Sequence, residues 1–204
     1  MPGKKVDRRV QRTRQLLSGA LMGLIVEKGY DSVTVQDIID RANLGRSTFY
    51  AHYQDKEDLL LSGIDDVVHS LIWGDEALSK GEPGKDTLPR ILSTEPIFRH
   101  AQEEHQLHKA IFVGRGLDMM IKEIQQHLCS HIEEQLNQYF PGEKSPPVEL
   151  SVISNYLAGA LLTLLVWWLD NNMPYPPERM DALYQELSMP GVWAVLEINP
   201  YSVN

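Results

Sequence analysis

A short stretch near residue 48 is rich in hydrogen-bond donors and has no carboxylate. The stretch RSTFYAHY occupies positions 46–53. Five of its donors are the side chains of Arg46, Ser47, Thr48, Tyr50 and His52. In a helix whose Phe49 faces a core, these five side chains are left to point outward. Donors without a neighbouring acid suit phosphate oxygens and the N7 and O6 acceptors of guanine, so the chemistry favoured here is recognition of nucleic acid.

Residues that begin helices flank this stretch. Thr34 and Asp37 have the spacing of a capping box, in which the hydroxyl accepts the third helical amide and the carboxylate reaches back. Gln36 lies in the same first turn. Lys56 falls in the first turn of the helix that follows, where exposed amides and the helix dipole already favour a phosphate. We therefore predict that Lys56 adds a cation to an anion-binding helix start.

Histidine and cysteine side chains could bind a metal or react chemically elsewhere in the chain. His127 and His131 are spaced i, i+4 with Glu123 one turn earlier, but a metal site also needs a third or fourth ligand. The single Cys129 excludes a disulfide framework and a four-cysteine zinc site. No nucleophile elbow, phosphate loop or paired-acid constellation is present. We expect no bound metal, no cofactor and no enzymatic activity.

Charge is distributed unevenly along the 204 residues, which carry a net charge of −9. Residues 1–60 hold 10 Lys+Arg and 8 Asp+Glu, a net of +2, and the remainder holds 9 and 20, a net of −11. This asymmetry indicates an N-terminal arm that meets a polyanion and a body that does not. The basic residues of the arm are Lys4, Lys5, Arg8 and Arg9.

The longest apolar run is too short to cross a membrane. Leu157–Leu169 has 13 residues, whereas a spanning helix needs about 20. The basic N-terminus does not lead into an apolar stretch, so no secretory signal is recognised. We expect a cytoplasmic protein with no membrane partner.

Apolar residues at three- and four-residue spacing predict helix in nearly every segment and no strand. The predicted helices cover about 8–28, a short segment after Thr34, 46–53, 55–80, 87–112, 116–140, 148–171 and a last one from 177. Two short helices joined by a three-residue turn, between two long ones, have the layout of a helix-turn-helix. The predicted fold class is all-α, with a three-helix helix-turn-helix domain over 1–54 (the motif at about 34–53). A larger C-terminal helical domain follows over 55–204, joined by the long helix at 55–80.

The stretch GYDSVTVQDIIDRANLGRSTFYAHYQDKEDLL, at 29–60, resembles the DNA-binding signature of the TetR family of bacterial transcriptional regulators. The chain departs from the family pattern at Ile39, Asn43 and Gly45, where the family often has Ala, Gly and Ser. The resemblance implies that Thr34 and Gln36 open the helix that touches the DNA backbone. It also implies that Arg46, Ser47 and Thr48 meet bases, that Tyr50, His52 and Lys56 hold phosphates, and that Lys4, Lys5 and Arg8 form a DNA arm.

The resemblance further implies a C-terminal domain that dimerises and encloses an inducer pocket. The segment 156–169 is apolar nearly all round, so a partner subunit is expected to cover it. We predict a homodimer through about 148–171 and 177–196, and the alternative is the central core helix of a monomer. The pocket is expected between the fourth helix and the helices after it. The candidate pocket residues are His69, Trp73, Phe98, Phe112, Met119, Met120 and Tyr156.

Together these features predict a sequence-specific, DNA-binding transcriptional regulator. The leading hypothesis is a homodimeric repressor that leaves a palindromic operator on double-stranded DNA when an unknown small-molecule effector shifts the fourth helix. The alternative is an architectural DNA-binding protein, or a regulator controlled by a protein partner, with no small-molecule pocket.

Overall fold

The computed structural model describes residues 8–73, 90–107, 115–140 and 145–197. Eight α-helices and no strand occur in these ranges, which confirms the all-α fold class. The helices are α1 (Arg8–Lys28), α2 (Val35–Ala42), α3 (Arg46–Tyr50), α4 (Lys56–Trp73), α5 (Glu95–Glu103), α6 (Arg115–Asn137), α7 (Leu150–Asp170) and α8 (Pro177–Val195).

The chain forms two compact units. The first comprises Met1–Asp66 with Gln106–Met120, and the second comprises Val67–His105 with Ile121–Asn204. The whole stretch 29–60 lies in the first unit. The division predicted at residue 54 remains a prediction.

The core of the first unit follows the apolar spacing of α1. Leu17, Leu21 and Ile25 are fully buried, and they belong to one core with the equally buried Ile38 and Phe49. Positions 17, 21 and 25 are separated by four residues and therefore lie on one face of a helix. This face holds α2 against α1.

Two backbone conformations set the ends of α1 and α2. Gly29 ends α1 with a φ of 75° and a ψ of 151°, which is not the left-handed conformation common at helix ends. The chain therefore leaves α1 in an extended direction and makes a 3₁₀ turn at Tyr30–Ser32, which local patterns do not predict. Asn43 adopts the left-handed conformation, with φ 52° and ψ 48°. Asparagine tolerates this conformation, which is why it can stand where the family often has glycine.

The second unit has α5, α7 and α8 packed together. Phe98 of α5 is fully buried and meets Trp168 of α7 edge-on, with ring centroids 5.4 Å apart. The helix predicted over 87–112 is wrong at its start, because α5 begins only at Glu95. Residues 90–94 are non-helical and pack through Ile91 and Leu92, both 4% exposed.

A buried carboxylate fixes this non-helical segment to α8. Asp181 accepts hydrogen bonds from the amide of Thr94 at 3.0 Å and from its hydroxyl at 2.8 Å. The guanidinium of Arg90 donates to the other carboxylate oxygen at 2.7 Å. Asp181 is 3% exposed and Thr94 is fully buried. These bonds satisfy the amide and the hydroxyl of Thr94. In a helix that ran through residue 94, the amide would instead bond the carbonyl four residues earlier.

Replacing Asp181 by Asn is expected to destabilise the protein by about 1–2 kcal/mol, because the bonds from Thr94 and Arg90 lose their charged acceptor. The free energy of unfolding is measured by urea denaturation followed by circular dichroism. Glu178→Gln on the same helix is the control, since Glu178 is an exposed partner of Arg99. An equal midpoint shift for both variants would contradict the special role of Asp181.

One described helix, α7, is long and apolar enough to span a membrane. Leu157, Leu161 and Trp168 on this helix are nevertheless fully buried within the protein. The hydroxyl of Tyr184 in α8 also donates to the carbonyl of Leu157 at 3.1 Å. These contacts are those of a core helix in a folded domain.

Candidate DNA interface

The short helix α3 presents its polar residues outward, as predicted. Phe49 is fully buried, while Arg46, Ser47 and Tyr50 are exposed. The Phe49 ring supports Tyr50 edge-on at 5.3 Å between centroids. The buried phenylalanine therefore anchors α3 and sets which side chains face solvent. Thr48 and His52 are half-buried at the border of this face.

The start of α3 has no side-chain cap. Gly45 occupies the N-cap position with an extended backbone, and no side chain caps the helix there. Gly45 cannot cap because it lacks a hydroxyl. The first turn of α3 also contains no acidic residue. The result is an exposed, acid-free helix start beside Arg46.

The capping box at the start of α2 is confirmed. The Thr34 hydroxyl accepts from the Asp37 amide at 3.2 Å, and the Asp37 carboxylate accepts from the Thr34 amide at 2.8 Å. The Thr34 hydroxyl also donates to the same carboxylate at 2.6 Å. Both donors of Thr34 are thus engaged within the protein, which favours a positioning role for Thr34 over a direct bond from it to phosphate.

Lys28, at the end of α1, completes this cap. Its ammonium lies 2.8 Å from the Asp37 carboxylate. The nearby ammonium, followed by the bonds from Thr34, holds the pKa of Asp37 well below its usual range. A carboxyl group whose pKa is lowered by folding stabilises the fold at pH values above its unfolded-state pKa. This stabilisation is lost as the pH falls through the folded-state pKa. The cap is therefore fully charged at neutral pH.

Thr34→Ala is expected to cost about 1 kcal/mol of stability, because α2 loses its N-cap. Thermal unfolding of the full chain measures this loss. Thr13→Ala is the matched control: the Thr13 hydroxyl bonds only the Arg9 carbonyl within α1, so its removal should leave the melting temperature nearly unchanged. Similar shifts for both variants would count against the cap.

Gln36 is exposed on α2, where its amide donates to Asp40 at 2.8 Å. An ion pair also joins α2 to α1: both terminal nitrogens of Arg41 in α2 donate to the Glu27 carboxylate of α1 at 2.6 Å. The sequence analysis did not single out Arg41 or Glu27. Their side chains are 14 residues apart, so only the close packing of α1 on α2 brings them together.

The structure gives Lys56 partners other than a phosphate. Its ammonium donates to the backbone carbonyls of Val33 and Tyr30 at 2.8 and 3.0 Å. An acidic side chain also caps the start of α4, because the carboxylate of Asp55 accepts a hydrogen bond from the Asp58 amide at 2.8 Å. A carboxylate at the first amides repels a phosphate there. In the free protein Lys56 and the first amides of α4 therefore bond within the chain, and a phosphate contact of Lys56 remains a prediction.

The basic arm is only partly described. Lys4 and Lys5 lie outside the described residues, and Arg8 is the exposed first residue of α1. The first turn of α1 contains no acid, so the basic residues there oppose the helix dipole.

The candidate pocket residues differ in exposure where the structure describes them. Phe112 and the side chain of Trp73 lie outside the description, and Phe98 is core. Tyr156 is 55% exposed and His69 is exposed, while Met119 is half-buried and Met120 is buried. Tyr156 faces outward because the opposite side of α7, at Leu157 and Leu161, fills the core. A cavity of about 410 Å³ between α1 and α4 is lined by none of the candidates.

The candidate ligands Glu123, His127 and His131 and the single Cys129 all lie on α6. His127 Nε2 lies 3.5 Å from the Glu123 carboxylate within α6, and His131 is 6% exposed. Burial raises the pKa of the Cys129 thiol, which disfavours the reactive thiolate.

Two family models match the chain. Residues 16–62 match bacterial regulatory proteins of the tetR family, and residues 92–189 match a transcriptional regulator C-terminal region. An uncharacterised HTH-type transcriptional regulator of Bacillus subtilis, YxbF, is 28% identical over 86% of the chain. The chain spans 44% of the length of that relative.

Solved structures of similar fold include a putative TetR-family regulator from Syntrophomonas wolfei. Its TM-score is 0.70 at 19% identity, and the match covers 93% of this chain and 99% of that one. The structure of RolR in complex with the ligand resorcinol has a TM-score of 0.58 at 19% identity, with 89% of each chain covered.

Proposed function

The chain belongs to the TetR family of bacterial regulatory proteins and is a DNA-binding transcriptional regulator of that type, and we propose that it acts as a homodimeric repressor. It binds a palindromic operator through α3 and leaves the operator when a small-molecule effector binds. The observation that carries this proposal is the exposed, acid-free face of α3, anchored from behind by the fully buried Phe49.

In this proposal Arg46, Ser47 and Thr48 read bases from the major groove, and Tyr50 and His52 hold phosphates on either side. Gln36 faces the DNA backbone from α2. Arg8 and the basic residues before it lie along the duplex, where their positive charges meet its phosphates. In this arrangement the phosphate contacts position the protein on the duplex, and the base contacts select the DNA sequence.

Dimerisation through α7 and α8 is supported by apolar side chains that the chain itself leaves uncovered. On α7, Val152, Tyr156 and Trp167 are 58%, 55% and 44% exposed. On α8, Leu187 is 68% exposed. Residues 152, 156, 163 and 167 fall on one side of a helix. A second copy of the chain that packs on these sides would bury them in a two-fold interface.

Two glycines support the same interface. Gly159 in α7 and Gly191 in α8 each have open space where a Cβ atom would stand. Glycine inside a helix costs about 1 kcal/mol relative to alanine, and no neighbouring atom in the described part of the chain requires it at either position. Close approach of a partner helix gives a reason for both.

The effector proposal rests on family membership and on an analogy of fold, since RolR carries resorcinol in its complex. The cytoplasm is the compartment in which such a regulator meets its DNA.

The test is fluorescence anisotropy of the purified protein on duplexes that tile the DNA beside its own gene, with a scrambled duplex as control. The proposal predicts tight binding of a dimer to one palindromic tile, and release when a compound from an effector screen is added. Equal, salt-sensitive binding to every duplex would contradict sequence-specific repression and favour an architectural protein. Specific binding that no compound weakens, but that a protein partner does, would contradict the effector.

A further inference from the structure

The ammonium group of Lys56 is surrounded by backbone carbonyls. It donates to Val33 at 2.8 Å and to Tyr30 at 3.0 Å, and it lies 3.4 Å from the carbonyl oxygen of Asp31. The same nitrogen stands 4.4 Å from the centre of the Tyr30 ring. A lysine ammonium has three N–H groups, so three carbonyls engage it before any DNA is present.

These carbonyls belong to the segment that leads into the DNA-reading module. Residues 30–33 directly precede Thr34, the N-cap of α2, and Lys56 is the first residue of α4, after α3. A bond from residue 56 to residues 30–33 therefore closes a loop that contains both α2 and α3. We propose that Lys56 is a positioning residue that clamps the two ends of this module and fixes the face that α3 presents to DNA.

Burial explains why the clamp holds. Tyr30 is 4% exposed and Val33 is 2% exposed, so water has little access to replace the ammonium at their carbonyls. The site also selects lysine over arginine. Three carbonyls converge on a compact ammonium, whereas the planar guanidinium directs its donors outward in a fork suited to phosphates and carboxylates.

Lys56→Arg and Lys56→Gln distinguish the clamp from a phosphate contact. The clamp predicts that both variants bind a duplex selected from a randomised library about tenfold more weakly, a change of about 1.4 kcal/mol. Binding to a random duplex should change much less, so the ratio of the two affinities falls. The dependence of log affinity on log salt should keep its slope, because no phosphate contact is removed. Arg8→Gln is the control that should flatten this slope by about two, one for each subunit of the dimer.

A phosphate contact gives the opposite pattern. Lys56→Arg would then keep the affinity for both duplexes, and Lys56→Gln would flatten the salt slope as Arg8→Gln does. Equal losses on the selected and random duplexes would indicate a purely structural residue. Either result would overturn the proposed positioning role.

A measurement on the unmodified protein covers the case in which the variants fold poorly. The Lys56 ammonium should give a nitrogen-15 NMR signal protected from solvent exchange in the free protein, and the signal should barely move when the selected duplex is added. An unprotected signal that becomes protected or shifts strongly on addition of DNA would overturn the clamp.

Discussion

Arg46→Ala should strongly reduce sequence preference while leaving the fold intact. Arg46 is exposed at the start of α3, and a bidentate arginine–guanine contact is worth about 1–3 kcal/mol of discrimination. A homodimer carries two copies, so the loss on the operator should reach about 2–6 kcal/mol if the half-sites add. Anisotropy titrations against the operator and a scrambled duplex measure it. The melting temperature should stay close to that of the parent protein.

Arg46→Lys is the sharpest control for this prediction. Lysine keeps the positive charge but cannot offer the planar fork that matches guanine. The variant should therefore retain affinity for the scrambled duplex and still lose affinity for the operator. If Arg46→Ala weakens both duplexes equally and Arg46→Lys restores both, Arg46 holds a phosphate and does not read a base.

Local patterns in the sequence predict much of the structure of the first unit. The capping box of Thr34 and Asp37 depends on residues three positions apart, and Phe49 is recognisable as the inward-facing residue of α3 because its neighbours are polar. The periodicity of apolar residues likewise predicts α1, α7 and the start of α8 within two residues. In each case the deciding interaction lies within one helix or at its end, where residue type and spacing are sufficient.

The features that the sequence did not predict depend on contacts between distant residues. Thr94 and Asp181 are 87 positions apart, and their bonds hold 90–94 out of the predicted helix. Lys56 meets the carbonyl of Tyr30, 26 positions earlier. No local pattern marks a backbone carbonyl as a partner for a lysine. A lysine at a helix start indicates phosphate binding only when nothing in the fold reaches it first.

The exposed apolar side of α7 shows how the same limit applies to assembly. The pattern predicts a helix that needs cover on several sides, but only the fold shows which positions the chain itself covers. Leu157 and Leu161 are buried within the chain, whereas Tyr156 is left outside. A residue chosen by type as a pocket wall is thereby placed on the proposed subunit interface.

Leu187→Glu should convert the dimer to a monomer and cost the operator affinity at least about a hundredfold. Leu187 is 68% exposed in the single chain, so a glutamate there is tolerated by the fold of one subunit. At a two-fold interface the substitution would bury two carboxylates without partners, which is strongly unfavourable. A monomer would hold only one half-site and lose the gain of about 10²–10⁴ that linked binding provides.

Light scattering coupled to size exclusion reports the subunit state of this variant, and anisotropy reports its affinity for the operator. Gln126→Glu is the matched control, because it places the same charge on an exposed residue of α6 and should leave both readings unchanged. A Leu187→Glu protein that remains dimeric and binds the operator as before would show that the interface lies elsewhere. If the variant lost operator affinity but stayed dimeric, Leu187 would affect DNA binding without holding the dimer together.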